Sequence, residues 1–466
     1  MTLIPTNSSI ETGSFRDRSN QVFYENGAVR RALSTQGLAD WEALQRTSFF
    51  RTALTDGEIV DTKRVHEAPS PPGPWVAVLE HAQIPFISYP YEWSFSMLRD
   101  AGCQQLRLLE KALGEGLILK DGSSFNSQFV GARPAFIDIG SFTRYERGRL
   151  WEGYRQFCQM FLFPLLLTAY ARVPFQLLCR SFPDGISALH CRRLLGARAL
   201  LRRGVLKHVV LQSVLERQLG NTEIGLRSEL ENSPVDATLV KSTVRSLASV
   251  LEKLAYPAER TTWSHYKCDE SYAPEDLDRK RDFVRRIACS RRRSLTFDIG
   301  ANTGEFARIA AECSDYVVAL DGDEHAIERL YRKLAEEKSS SILPLVFDAT
   351  NPTPASGWRL RERKSLEQRG RPDLVLFLAI VHHLVITNSV PVTEVLDWLR
   401  ELNGEIVFEL VTKEDPQAQK LLRNRSDQQA DYTREHVEAA MRERFHIADQ
   451  LELGGGRRVL YALAPK

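Results

Sequence analysis

The chain of 466 residues is short of several features that would narrow its class at once. Its seven cysteines (Cys103, Cys158, Cys179, Cys191, Cys268, Cys289, Cys313) include no CxxC pair, which speaks against a zinc centre and a disulfide framework and fits a reducing cytoplasm. There is no charge excess: 62 basic and 60 acidic side chains leave +2, so no global field demands nucleic acid as a partner and any basic surface must be local. The first twenty residues hold no apolar core of the kind a secretory signal needs, so a cytoplasmic location is expected. Long apolar runs are missing too. The most apolar stretch, 160–179, is broken by Pro164, Arg172 and Pro174, and reads as buried helix rather than a bilayer span. Repeats and low-complexity tracts are absent.

What remains is a globular composition, 43% apolar with 22 Phe and 7 Trp, at a length that calls for two or three domains. Residues 1–90 carry short apolar runs (FYENGAVRRAL and, after APSPPGPW, the strand-like VAVLEHAQIPFISY) and read as a small α/β lobe. Residues 91–254 read as mainly helical, with a loop-and-strand island at Leu119–Ser141. The polar, aromatic interval 255–275 reads as a linker. From 276 to 466 strands and helices alternate: SLTFDIG, YVVAL, ILPLVF, DLVLFLAI and GEIVFELV, with FHIADQLEL, GGG and RRVLYALA closing as a hairpin. That order predicts a doubly wound, seven-stranded Rossmann-like sheet covered on both faces, so a piece from about residue 260 onward is expected to fold and bind a ligand alone.

The segment Asp298-Ile299-Gly300-Ala301-Asn302-Thr303-Gly304-Glu305 ends a strand and opens a helix, at the sheet edge where ligands bind. Asp321 ends the next strand, where a carboxylate can accept both hydroxyls of a ribose. A nicotinamide dinucleotide would require GxGxxG, but Asn302 and Glu305 stand at the second and third glycines, and a carboxylate there repels a pyrophosphate. S-adenosyl-L-methionine carries a sulfonium cation and no phosphate, and fits better. Together these motifs resemble the class I S-adenosylmethionine-dependent methyltransferases. The resemblance implies that Asp298, Gly300, Asn302 and Gly304 line the methionine end, Asp321 holds the ribose and Asp348 of VFDAT meets the adenine. It implies methyl transfer with no bound metal. His382 and His383, after the fourth strand, are base candidates at the acceptor side, the other reading being a helix cap or a cofactor contact. Glu409, ending the fifth strand, is a further base candidate or a salt-bridged residue.

In the front half, Asp121 precedes Asn126 by five positions, and Asp138-Ile139-Gly140 follows. That spacing resembles the catalytic and metal loops of the kinase superfamily, implying a two-lobed kinase-like region in which Asp121 orients a hydroxyl while Asn126 and Asp138 hold Mg²⁺. No glycine-rich phosphate loop is present, and Arg30 or Arg31 would replace the usual lysine, which favours a fold relic that binds an acceptor or partner over an active phosphotransferase. Arg192, Arg193, Arg198, Arg202, Arg203 and Lys207 make one helical region basic, suited to a peripheral membrane contact, to an anionic glycolipid, or simply to solvent. Arg291, Arg292 and Arg293 invite the same alternatives. As a whole the chain resembles the NoeA-type host-specific nodulation proteins, which implies a small-molecule or glycan acceptor in the making of a symbiotic signal.

Overall fold

The computed structural model describes residues 9–66, 70–214, 237–257, 272–423 and 431–466. The chain opens with a five-stranded antiparallel sheet in the order β1-β2-β3-β5-β4, from β1 (Ser9–Ile10), β2 (Asn20–Glu25), β3 (Ala28–Leu33), β4 (Thr62–Val65) and β5 (Ala77–His81). Asn26 and Gly27 join β2 to β3 at φ 49° and 76°, left-handed values that these two residue types adopt at low cost. Helices Thr35–Gln45 and Ser48–Thr55 lie between β3 and β4. The strand expected through 76–89 stops at His81, short of Pro85 and Pro90, which have no N–H to give a ladder.

The helix Phe95–Gly114 follows, then two small antiparallel pairs: β6 (Leu117–Leu119) with β9 (Phe142–Arg144), and β7 (Ser127–Val130) with β8 (Arg133–Phe136). The apolar stretch is buried helix as expected, with Phe161, Leu162, Phe163, Leu165, Leu166 and Leu167 in the core. Among the described residues no helix is long and apolar enough to cross a membrane. Most of the expected linker, 258–271, lies outside the described residues, while Tyr256 at its start is docked, its hydroxyl donating to Glu324 at 2.9 Å.

The C-terminal sheet has all seven expected strands, β10 (Arg293–Ile299), β11 (Ser314–Asp321), β12 (Ile342–Val346), β13 (Leu374–Phe377), β14 (Glu405–Val411), β15 (Phe445–Leu453) and β16 (Arg458–Pro465). Their order is β12-β11-β10-β13-β14-β16-β15, with the first five parallel and β16 antiparallel to β14. The helical periodicity also holds: Ile327, Leu330, Tyr331 and Leu334 are all buried beneath the helix Glu324–Glu336.

Two expectations need correction. Cys289 and Cys313 form a disulfide, their Cα atoms 5.2 Å apart. Register is the cause: Arg293 pairs with Ser314, and the Arg293 N–H donates to the Cys313 carbonyl at 2.9 Å, so residues just ahead of β10 and β11 become neighbours despite their separation in sequence. The C-terminal half also does not cover both faces of its sheet by itself. The crossover from β12 to β13 holds only the turn Trp358–Leu360 and the single helical turn Leu366–Arg369, where a doubly wound fold places a covering helix. The front half takes that place, with Pro90–Glu92 and β7 against β12 and Phe86 edge-on to Phe297 at 5.7 Å.

One hydrophobic core therefore runs through both halves. Polar pairs lock them together: fully buried Arg369 grips both Glu92 oxygens at 2.7 Å, Ser96 donates to Glu328, and Tyr331 donates to Asp100 at 2.9 Å. The Gly131 N–H donates to the Tyr316 hydroxyl at 2.8 Å. A Cβ on Gly131 would lie 2.3 Å from the Ser339 carbonyl oxygen, so the approach requires glycine.

Candidate active site

Three sheet strands deliver the expected donor-binding residues to one edge. After β10 the backbone turns through Gly300 (φ 85°), Asn302 (φ 49°) and Gly304 (φ 81°) before the helix Glu305–Ala311 begins. Gly304 is doubly constrained, since any Cβ there would press on Leu330 at 2.5 Å. The loop is tied to the second strand: Gly300 and Ala301 N–H groups donate to the Leu320 carbonyl, and the Asn302 N–H donates to Asp321 Oδ2 at 2.7 Å. Asp321 Oδ1 accepts from the Asp323 N–H at 2.8 Å, which holds the carboxylate in one orientation at the strand end. Asp348 is exposed beyond β12, with its side chain turned onto Thr350.

Electrostatics distinguish this edge. Asp298 is buried, and that burial, with the charge of Asp321 beside it, pushes its carboxyl up to about 7. Its Oδ2 has no hydrogen-bond partner. Burial raises Asp321 as well. Two carboxylates brought together with one oxygen unsatisfied form a locus for a cation that also carries hydrogen-bond donors. Those are the properties of the sulfonium, ammonium and ribose groups of S-adenosylmethionine, so the residues present fit that donor.

The base candidates fare differently. His382 is fully buried with both ring nitrogens unpartnered, and burial and then His383 hold it well below the ordinary imidazole range. Val381 and His382, both fully buried, open the helical turn that follows β13. His383 is half-buried with its ring 4.1 Å from that of His382, and burial lowers it to about 4. Glu409 is not a free base. Burial alone would raise it, but Lys280 at 2.7 Å and Arg458 at 3.7 Å hold it below the usual carboxylate range, and the Tyr272 hydroxyl donates to it at 2.5 Å. Lys280, Tyr272 and Arg458 escaped the sequence reading because nothing in the charged helix Pro274–Ala288 marks one lysine as buried. Of Arg291–Arg293 only Arg293 is buried, on Glu405 at 2.7 Å, while Arg291 and Arg292 stay exposed and pair with Glu405 and Asp315.

A cavity of about 610 Å³ lies where the five-stranded sheet, the helical region and the segment 362–369 meet. It gathers Asp121, Asn126 and Asp138, the residues singled out by spacing, together with Arg31. Asn126 Nδ2 donates to Asp121 at 2.5 Å, and Arg31 donates to Asp138 at 2.8 Å and to Asn20 at 2.6 Å. Burial and then the Asp138 charge push Asp121 up to about 6. Gly13, in the loop between β1 and β2, lies against Glu362 so closely that a Cβ would be 2.8 Å from its carbonyl oxygen.

The strand order, reversed last strand and left-handed loop of residues 274–466 define a class I methyltransferase fold. No protein-family model matches the chain. Over 457 residues it is 30% identical to the nodulation protein NoeA of Rhizobium meliloti (strain 1021), covering 96% of this chain and 94% of that protein, and it belongs to the NoeA family of nodulation proteins. Solved structures of the N-methyltransferase NodS from Bradyrhizobium japonicum WM9, alone and with S-adenosyl-L-homocysteine, are similar at 15% identity over 41% and 43% of this chain and 98% and 92% of theirs. Each has a TM-score of 0.32, too low to carry weight, so the fold assignment rests on strand order and register.

Proposed function

We propose that the C-terminal half binds S-adenosyl-L-methionine and transfers its methyl group to a small-molecule or carbohydrate-like acceptor, in modification of a glycan or nodulation signal. The observation that carries this reading is the buried Asp298–Asp321 pair beside the left-handed loop, with one Asp298 oxygen left without a partner. When bound, the donor supplies an electrophilic methyl on a positively charged sulfur. Asp298 and the loop from Gly300 to Gly304 would hold its methionine end, Asp321 its ribose, and Asp348 the adenine side. His383 is the better of the two imidazoles for meeting an acceptor, because His382 is fully buried. Lowered to about 4, His383 is neutral at pH 7 and accepts a hydrogen bond from an acceptor hydroxyl or amine, orienting its lone pair while the proton leaves to solvent. Calorimetry with S-adenosylmethionine tests the reading: micromolar binding that is lost in Asp321→Ala supports it, and no binding to the folded chain refutes it. Binding without product from any glycan acceptor would point instead to a donor-binding scaffold.

For the front half we propose a kinase-like relic and not an active phosphotransferase. One observation favours it: Arg31 already pairs with Asp138, the carboxylate a metal would need.

A further inference from the structure

Residues 177–214 stand apart from the rest of the surface. This short stretch holds half of the large hydrophobic side chains exposed among the described residues, namely Leu177, Phe182, Leu194, Leu201, Leu206, Leu211 and Val214. Leu201 is 96% exposed, Leu177 68% and Leu206 65%, values that leave almost nothing of these side chains in the core. The same stretch carries seven basic residues and a single acidic one, Asp184, in a chain whose net charge is only +2.

Local geometry shows that the leucines are displayed and not misplaced. In the helix over 205–214, Val205, His208 and Val209 face the core, which satisfies the helix's need for a buried stripe. Leu206, Val210, Leu211 and Val214 recur at the spacing of a second stripe, and three of those four are exposed. This helix packs against Ala188–Leu195, whose Leu194 is also exposed and which in turn rests on Leu167–Ala171. Leu201 lies in the connection between them, next to Arg202 and Arg203.

Four of the seven cations hold only neutral partners. Among the described residues, Arg192, Arg203 and Lys207 donate to the hydroxyls of Ser213, Ser249 and Ser246, Arg202 lies over the Tyr170 ring, and none of the four has a carboxylate partner. A solvated basic face gains nothing from seven exposed apolar side chains, and a nucleic-acid face has little use for leucines. A bilayer surface uses both: leucines enter the acyl boundary while arginine and lysine stems reach up to anionic headgroups.

We propose that the 177–214 face docks the protein on an anionic lipid surface. The proposal is independent of the methyl-transfer reading, since vesicle binding is measured without donor or acceptor. The test is co-sedimentation of the full chain with vesicles of phosphatidylcholine alone or mixed with phosphatidylglycerol. The expected result is binding to the mixed vesicles that weakens with added salt. Leu201→Ser should lower the partition coefficient about tenfold, and Arg202→Ala and Arg203→Ala about fivefold each. Thermal melting of the Leu201→Ser variant should match the parent, because that side chain is outside the core. Vesicle binding unchanged in all three variants would overturn the proposal. So would absence of vesicle binding together with a dimer that Leu201→Ser dissolves, which would make the occupant a second copy, or with an RNA complex that Arg202→Ala weakens.

Discussion

The two halves of this protein each bring a pair of aspartates together beside a cavity or sheet edge, and they treat the pair in opposite ways. In the front half, Arg31 neutralises Asp138 and Asn126 donates to Asp121, so the pair is largely satisfied from within. In the C-terminal half, Asp298 keeps an unpartnered oxygen and sits near neutral pH in its proton affinity, with Lys280 close by but committed to Glu409. A polar pair satisfied internally stabilises a fold, whereas an unsatisfied one stores a cost that a ligand can relieve. By that reasoning the front pair is satisfied by the fold itself, whereas the Asp298 oxygen at the methyltransferase edge is left for a ligand to satisfy.

The comparison can be broken most directly at Asp321. Asp321→Ala should lose about 1.5–3 kcal/mol for each of two charge-assisted bonds to ribose hydroxyls, enough to take donor binding out of calorimetric range. Unchanged affinity in a folded variant would mean the open edge is not the donor site. Next in size is the seam between the halves. Glu92→Ala strands the fully buried Arg369 guanidinium and should cost about 3–5 kcal/mol in urea denaturation. Loss of the two halves in one transition would show that they fold as a unit, and two separated transitions would show that the front half is dispensable to the C-terminal core.

A pH experiment sharpens the contrast further. An acid held at about 7 in the native chain stays protonated where the unfolded chain, near 4, has already released its proton, so stability should fall as pH rises from about 4 to about 7. Asp298→Asn should flatten that fall in the ligand-free protein. Donor affinity should rise across the same range in the parent only, as the carboxylate forms to meet a cation. A stability curve identical in both proteins would remove Asp298 from the account. The smallest effect is expected in front: Mg·ATP should not raise the melting temperature of the parent or of Asp138→Ala. A ligand at a hundredfold its dissociation constant adds about 2.7 kcal/mol, so a clear rise in the parent that vanishes in the variant would reinstate a working phosphotransferase.

Much of this architecture was legible in consecutive residues. The alternation of strands and helices from Ser294 onward, the left-handed positions Gly300 and Gly304, the carboxylate ending β11 and the Gly454–Gly456 turn between β15 and β16 follow from local periodicity and backbone preference, and each stands where the sequence places it. The spacing of Asp121, Asn126 and Asp138 also brings these three to one cavity.

What escaped was everything that depends on partners far along the chain. Glu409 reads equally as a strand-end base or a salt-bridged residue until Lys280 and Arg458 are seen against it, and nothing local tells that His382 is the fully buried one of the two imidazoles. Cys289 and Cys313 have no motif in common, and only the parallel register of β10 and β11 makes them neighbours. Nor does any local signal reveal that the β12 to β13 crossover lacks its covering helix and that the front half supplies the missing layer. Periodicity and φ preferences are properties of residues adjacent in sequence, so the sequence determined the elements and the donor loop. Burial and charge pairing depend on which surfaces meet, and contacts such as Ser96 with Glu328, 232 residues apart, exist only once both halves have closed on one core.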